Sequence, residues 1–467
     1  MFERKTYIQR RQTLMRTLSG GVVLLLGNDH SPMNYRDNMY PFRQDSTFLY
    51  YVGLDHPQLA ALIDLDEGRC TIYGRTPTVD DVIWSGPQPT LAELAQAVGA
   101  DDVQETEALD AAVTRVLATG RRLHFLAPYR GDTQLRLESL LSLRSGAAAH
   151  RASMDLTRAV IAQRSVKEEQ EIEQIEIALQ TTLDMHVCGM EVTQPGVVER
   201  EMVGLIEGLA ISGGGRLAFP CIFTRRGEVL HNHTYANELQ AGDLVVHDSG
   251  AASPKHYASD ITRTIPVGQR FTERQRAIYS AVLAAQEDAI KVVKPGVRFI
   301  DVHLTAARTL TQHLQALNIM QGDTDESVAA GAHALFFPHG LGHMMGLDVH
   351  DMENLGEDLV GYDSETTRAT KFGLRGLRFG KVLQPAYVMT VEPGCYFIGP
   401  LIDQWRAAGT QAAFINYEET DHWRSFGGVR IEDDVLVTDD GYRVLGPGIP
   451  KAPEEVEALV MGDQDEI

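Results

Sequence analysis

Short continuous apolar runs dominate the first third of the chain, and longer runs with helical spacing follow. GVVLLLGN, STFLYYVG and RLHFLAP are leucine-rich, β-branched or aromatic stretches of strand length. AALIDLDEGRCTIYG breaks at Asp66-Glu67-Gly68, which predicts a hairpin. TLAELAQAVG and ALDAAVTRVLATG place their apolar residues at helical intervals. The alternation of the two kinds of run predicts a small α/β domain that closes in the small, polar stretch SGAAAHRAS. Beyond it, Ser165 and Glu168 form an S-x-x-E pair that predicts a helix start. Ile172, Ile175, Leu179 and Leu183 continue at helical spacing. Another helix is predicted from Thr272-x-x-Gln275 to Lys294-Pro295-Gly296, and Gly213-Gly214-Gly215 is predicted to end a third. The remainder mixes strands and loops, and the end of the tail KAPEEVEALVMGDQDEI is expected to be loosely held.

Composition narrows the class. At 467 residues, with 43% hydrophobic and 23% charged positions, the chain is large enough for two or three cored domains. A net charge of −22 argues against a nucleic-acid partner, because phosphate binding needs a positive surface. The apolar run Val22 to Leu26 is too short to span a membrane and reads as a buried strand. The four cysteines, Cys70, Cys188, Cys221 and Cys395, form no CxxC pair and no disulfide framework, so a reducing, cytoplasmic setting is expected.

Candidate chemistry gathers in the second half. Asp248 and Asp260 lie in HDSGAASPKHYASDITRT, whose small residues and Pro254 suit a hairpin that presents both acids to one cleft. An acid inside the β-branched run SDITRT needs a partner. His339, His343 and His350 lie in PHGLGHMMGLDVHD, where glycines interrupt any helix; this is not the helical H-E-x-x-H zinc motif. Glu392 ends the apolar run VMTV and is held by Pro393-Gly394, and Glu432 alternates with Ile431 in GGVRIEDDVLV, next to Arg430. The plainer readings are turn aspartates, structural histidines and a charged surface strand. His231 and His233, in EVLHNHTY, are weak signals alone. Asp248, Asp260, His343, Glu392 and Glu432 together match the needs of two hard or borderline divalent cations. Without metal, four clustered carboxylates would repel one another and suffer desolvation.

The strings HDSG…YASDITRT, HGLGH…LDVHD, TVEPG and GGVRIEDD stand in the order of the proline-specific pita-bread metallopeptidases, the family of Xaa-Pro dipeptidase (prolidase) and aminopeptidase P, which this chain resembles over nearly its whole length. YPFRQDSTFLYYVGLDHPQLAALID resembles the opening of that family's non-catalytic domain. The connection between Asp248 and Asp260 is one residue longer than in the family pattern. The resemblance implies an α/β N-terminal domain (1–157) and an α+β pita-bread catalytic domain (158–467) with a curved, mostly antiparallel sheet. It implies two divalent ions, Mn²⁺ with Zn²⁺ or Co²⁺ as substitutes, bridged by Asp260 and Glu432. Asp248 would hold one ion, and His343 with Glu392 the other. It gives Glu392 the role of proton acceptor and makes His231, His339 and His350 partners of the substrate and its oxyanion. Arg378, in GLRGLRFG, falls where a substrate carboxylate is bound, with Arg430 as an orienting partner. The expected substrate is a small peptide with proline in second position, most of all a dipeptide, and the expected assembly is a homodimer. Aminopeptidase P activity is the alternative. The large N-terminal part speaks against methionine aminopeptidase, and the intact ligand set against a catalytically dead binding module.

Overall fold

A computed structural model of the protein describes residues 1–268 and 270–462. The chain divides into two compact units, Met1–Arg164 and Ser165–Ile467. The end of the acidic tail, expected to be loosely held, lies outside the described residues, but Pro453–Met461 before it is a helix that buries Val456 and Val460.

The first unit is built on a mixed sheet of five strands in the order β4-β3-β2-β1-β5. These are β1 (Val22–Leu26), β2 (Ala60–Asp64), β3 (Arg69–Gly74), β4 (Asp102–Glu105) and β5 (Leu123–His124). The predicted hairpin is β2–β3, antiparallel with Ala60 opposite Tyr73 and Asp64 opposite Arg69. Both side-chain sets of β1 are buried, Val22 and Leu24 as well as Val23 and Leu25, so the sheet is covered on its two faces. The helix predicted in TLAELAQAVG is Leu91–Val98; Thr90 and Glu93 form its capping box, and Gly99 closes it in the left-handed region.

Two local expectations are corrected. STFLYYVG is not a strand but the helix Ser46–Tyr51, all six residues of it buried. Asp45 decides the matter by accepting a hydrogen bond from the Phe48 amide at 2.8 Å. A short, wholly buried apolar run carries no periodicity to tell helix from strand. Ser165 does not open a helix; it ends the helix Met154–Ser165. The following helix, Glu169–Val192, starts four residues later, where the Glu171 carboxylate accepts from the amide of the N-cap residue Glu168 at 3.0 Å. RLHFLAP contributes only the two-residue β5.

The second unit is wholly antiparallel in its described strand pairs. Its strands are β6 (Arg216–Leu217), β7 (Ile222–Thr224), β8 (Leu244–Ser249), β9 (Ala251–Ala252), β10 (Ile261–Pro266), β11 (Val388–Val391), β12 (Gly394–Tyr396), β13 (Gly428–Arg430), β14 (Asp433–Val437) and β15 (Tyr442–Val444). They form the ladders β10-β8-β7, β11-β14-β15, β12-β13 and β6-β9. A single bridge between Thr262 and Glu432 links the first ladder to the segment between β13 and β14, and another between Met344 and Met389 ties the histidine-rich loop to β11. The helices Glu169–Val192, Glu199–Ser212, Glu273–Lys291 and Phe299–Ala316 bury apolar stripes in this unit. Thr272 and Gln275 cap the third of them reciprocally, as the sequence predicts. Gly213 follows the last residue of the second.

Candidate active site

Strand geometry brings the acids together. β8 and β10 run antiparallel with Asp248 opposite Thr262, so Asp248 and Asp260 approach from neighbouring strands. The two arms of the connection between them pack closely: a Cβ on Gly250 would lie 1.7 Å from the Ser259 carbonyl oxygen. Glu392 directly follows β11, and Glu432 sits between β13 and β14. Side chains alternate across a strand. In the acidic run Glu432-Asp433-Asp434 this sends neighbouring acids to different partners. Glu432 accepts from the Thr262 hydroxyl at 2.6 Å, and Asp434 accepts from the Asp260 amide at 3.1 Å. Asp433 turns away to Arg263 at 2.7 Å and Lys451 at 2.6 Å. All three acids are buried, which excludes the charged surface strand as a reading of this segment.

His343 comes from the glycine-rich loop. Gly342 is needed there because a Cβ would lie 2.1 Å from the Thr390 carbonyl oxygen. The His343 amide donates to the Thr390 hydroxyl at 3.1 Å. Its Nδ1 lies 3.3 Å from the Met344 carbonyl, which can only accept, so the ring proton sits on Nδ1. The bare Nε2 then faces Asp260 Oδ2 at 3.4 Å and Glu392 Oε1 at 3.9 Å. Asp260, His343 and Glu432 each offer a donor atom within 4.8 Å of the others. Asp248 and Glu392 stand outside this tighter group: Asp248 pairs with Arg430 at 2.5 Å, and Glu392 lies beside His343 and His339.

Electrostatics point the same way. Burial, then Glu432 and Asp248, push the Asp260 carboxyl well above its ordinary range. Burial, with Glu392 and Asp248, does the same to Glu432. Burial pushes Glu392 up to about 8 despite Arg430. Burial and the neighbouring His350 push His343 well down, toward the neutral imidazole that binds metal. Asp248 Oδ1 and Asp260 Oδ1 are buried without a hydrogen-bond partner. An oxygen-rich donor set with orphaned anionic atoms fits divalent cations, which would supply the missing charge.

All eleven residues singled out in the sequence line one cleft of about 460 Å³: the five candidate ligands, His231, His233, His339, His350, Arg378 and Arg430. His231 stands at an exposed part of it. His339 hydrogen-bonds the Gly340 carbonyl through Nδ1 at 2.8 Å and the Tyr396 hydroxyl through Nε2 at 2.9 Å. Burial and Arg430 bring it down to about 3, so it is neutral. Arg430 is buried and spans the floor, donating to Asp248, to Tyr396 at 3.0 Å and to Thr262 at 3.2 Å. The His350 ring packs against that of His343, tilted by 42° with ring centres 4.0 Å apart. Arg378 pairs through Nη1 with Glu353 at 2.7 Å and Glu357 at 2.9 Å.

Sequence reasoning missed Thr262, Tyr396, Asp434, Glu353 and Glu357. Asp434 left a signal, since it lies two residues from Glu432 and must share its face. Tyr396 left none; only the fold sets its hydroxyl between His339 and Arg430.

Residues 173–439 match the family described as metallopeptidase family M24, and residues 7–124 match the aminopeptidase P N-terminal domain. Human Xaa-Pro dipeptidase is 32% identical over 465 residues, covering 95% of this chain and 89% of that protein. The Xaa-Pro aminopeptidase of Escherichia coli K12 is 30% identical over 469 residues, covering 98% of each. Among solved structures, the aminopeptidase PepP of Pseudomonas aeruginosa superposes with a TM-score of 0.80 at 29% identity, covering 98% of both chains. Zinc-substituted E. coli aminopeptidase P in complex with product gives 0.79 at 28%, again over 98% of both. The chain belongs to metallopeptidase family M24. Its fold is that of aminopeptidase P, an N-terminal domain followed by a pita-bread catalytic domain, and its chemistry is that of a divalent-metal peptidase with Xaa-Pro peptidases among its relatives.

Proposed function

We propose that the protein is an Xaa-Pro dipeptidase that holds two divalent ions, Mn²⁺ foremost, between Asp248, Asp260, His343, Glu392 and Glu432. Bound there, the ions would supply Lewis acidity and an acidified water at neutral pH. The chain's own groups do the rest. Glu392, half-buried at the cleft wall, takes the proton of the attacking water and passes it to the departing prolyl nitrogen. That nitrogen carries no hydrogen in the substrate, so recognition rests on the ring, the substrate's two ends and the metals. His231 and His350 face the cleft as partners for the scissile carbonyl and the oxyanion, and His339 contributes through the hydrogen bonds that hold it. Arg430 pins Asp248 and Tyr396 in place.

One observation carries the preference for dipeptides. Among the described residues, Arg378 uses only Nη1 for its internal ion pairs, so its Nε and Nη2 make no hydrogen bond within the protein. That edge of a guanidinium can grip a carboxylate through two parallel hydrogen bonds. A proline carboxylate held there leaves no room for a further residue. The reading gives faster turnover of Ala-Pro than of Ala-Pro-Ala by manganese-supplemented enzyme. Preferred cleavage of the tripeptide would establish aminopeptidase P activity instead. A homodimer in the cytoplasm is the proposed setting, and sedimentation of the purified chain tests the assembly.

A further inference from the structure

Glu353 is a carboxylate the reaction does not need, yet it holds two residues of the cleft. Its Oε2 accepts from Arg378 Nη1 at 2.7 Å and from His350 Nδ1 at 3.1 Å. It lies outside the cleft lining, behind both partners, with 19% of its side chain exposed. The backbone is bent to put it there. Met352, buried and not a glycine, adopts φ +64° in the left-handed region, and a short 3-10 turn, Glu353–Leu355, follows. Glu357 supports the same arginine from the other side at 2.9 Å and is itself paired with Arg368.

Two consequences follow. An acceptor on Nδ1 fixes the orientation of the His350 ring in the cleft lining. Two carboxylates on Nη1 spare the Nε and Nη2 edge for an incoming anion. Arg378 is 35% exposed along its side chain, so without these anchors its long side chain would sample several rotamers before each binding event.

The geometry points to Glu353 as a positioning residue that sets the C-terminal specificity of the enzyme, by holding Arg378 ready for the substrate carboxylate. The inference rests on the reading of Arg378 as the carboxylate clamp. Glu353→Gln keeps a carbonyl acceptor for His350 Nδ1 and removes the charge that pairs with Arg378, so it should weaken ground-state capture more than the chemical step.

The test is a double-mutant cycle on the metal-loaded full chain with Ala-Pro. Arg378→Ala is expected to raise KM by roughly tenfold or more, the scale of a charge-assisted contact. Glu353→Gln should raise KM by about fivefold with kcat within about twofold, and Glu353→Asp should recover part of the loss. In the Arg378→Ala background, Glu353→Gln should add nothing. Additive losses in the double variant would overturn the positioning role, as would a fall in kcat at unchanged KM. If Arg378→Ala raises KM and Glu353→Gln does not, the inference fails while the clamp stands. If Arg378→Ala leaves KM unchanged, clamp and inference fall together. Thermal unfolding of each variant separates these outcomes from lost folding.

Discussion

Asp260 shows most plainly what the site is built to hold. Its carboxylate is buried, has an oxygen without a partner, and is raised in pKa by burial and by Glu432. Such a residue destabilises the metal-free fold and earns its place only with a cation bound. Asp260→Asn is therefore expected to act in opposite directions on two readouts. Activity with manganese should fall on the order of a hundredfold or more. The chelator-stripped protein should melt at a higher temperature than stripped wild type, because one repelling charge is gone. A lower melting temperature for the stripped variant would mean that Asp260 is a structural acid. Glu432 resembles Asp260 in burial but not in support, since Thr262 donates to it at 2.6 Å. Glu432→Gln should accordingly relieve the stripped protein less, and melting curves of the two variants side by side check the order.

Between elements, the informative feature is a pair of buried imidazoles away from the proposed metal ligands. His303, on the helix Phe299–Ala316, and His333, on the 3-10 turn Ala332–Leu335, have ring centres 6.1 Å apart. None of their four nitrogens has a hydrogen-bond partner among the described residues. Burial holds His333 down to about 4 and His303 well below its usual range. The sign follows from linkage. A histidine whose pKa is depressed on folding contributes no penalty above about pH 6.5, and folding loses stability as pH falls below that value toward the folded pKa. Each such group costs up to about 1.4 kcal/mol per pH unit in that window. Metal-loaded protein is thus expected to lose melting temperature between pH 6.5 and 4. His303→Leu should flatten that fall and be neutral or better at pH 7.5, since no hydrogen bond is lost. An identical pH profile for the variant would remove this pair as the cause.

The whole molecule carries −22 at neutral pH and concentrates buried acid in one cleft of the second unit. Metal removal should expose that concentration as a pH-dependent loss opposite in sign to the histidine effect. Asp260, Glu432 and Glu392 have raised folded-state values, Glu392 at about 8. Their stability is full below the ordinary carboxylate range and is lost as pH rises through the folded values, a window of about pH 4 to 8. Melting of chelated protein should fall from pH 5 to 8, and the gap to manganese-loaded protein should widen across the same range. A constant gap would show that metal does not neutralise these acids.

Much of the fold is legible in the sequence alone, and the physical reason differs from part to part. Long amphipathic or well-capped segments announce themselves locally: Thr272 with Gln275, Thr90 with Glu93, and the hairpin at Asp66-Glu67-Gly68 each satisfy their own backbone within a few residues. Glu392 at the end of an apolar strand and the histidines among glycines were conspicuous because acids and imidazoles are costly in such runs. STFLYYVG and Ser165 misled because a short buried run lacks a period, and because a capping pair three residues further on competes for the same helix start. What only the tertiary structure decided is which partner each group meets. Tyr396 between His339 and Arg430, Asp434 beneath Asp260, and Glu353 behind both Arg378 and His350 depend on where distant segments cross. Local pattern encodes what a segment must bury; the packing of segments far apart in the chain settles what stands beside it.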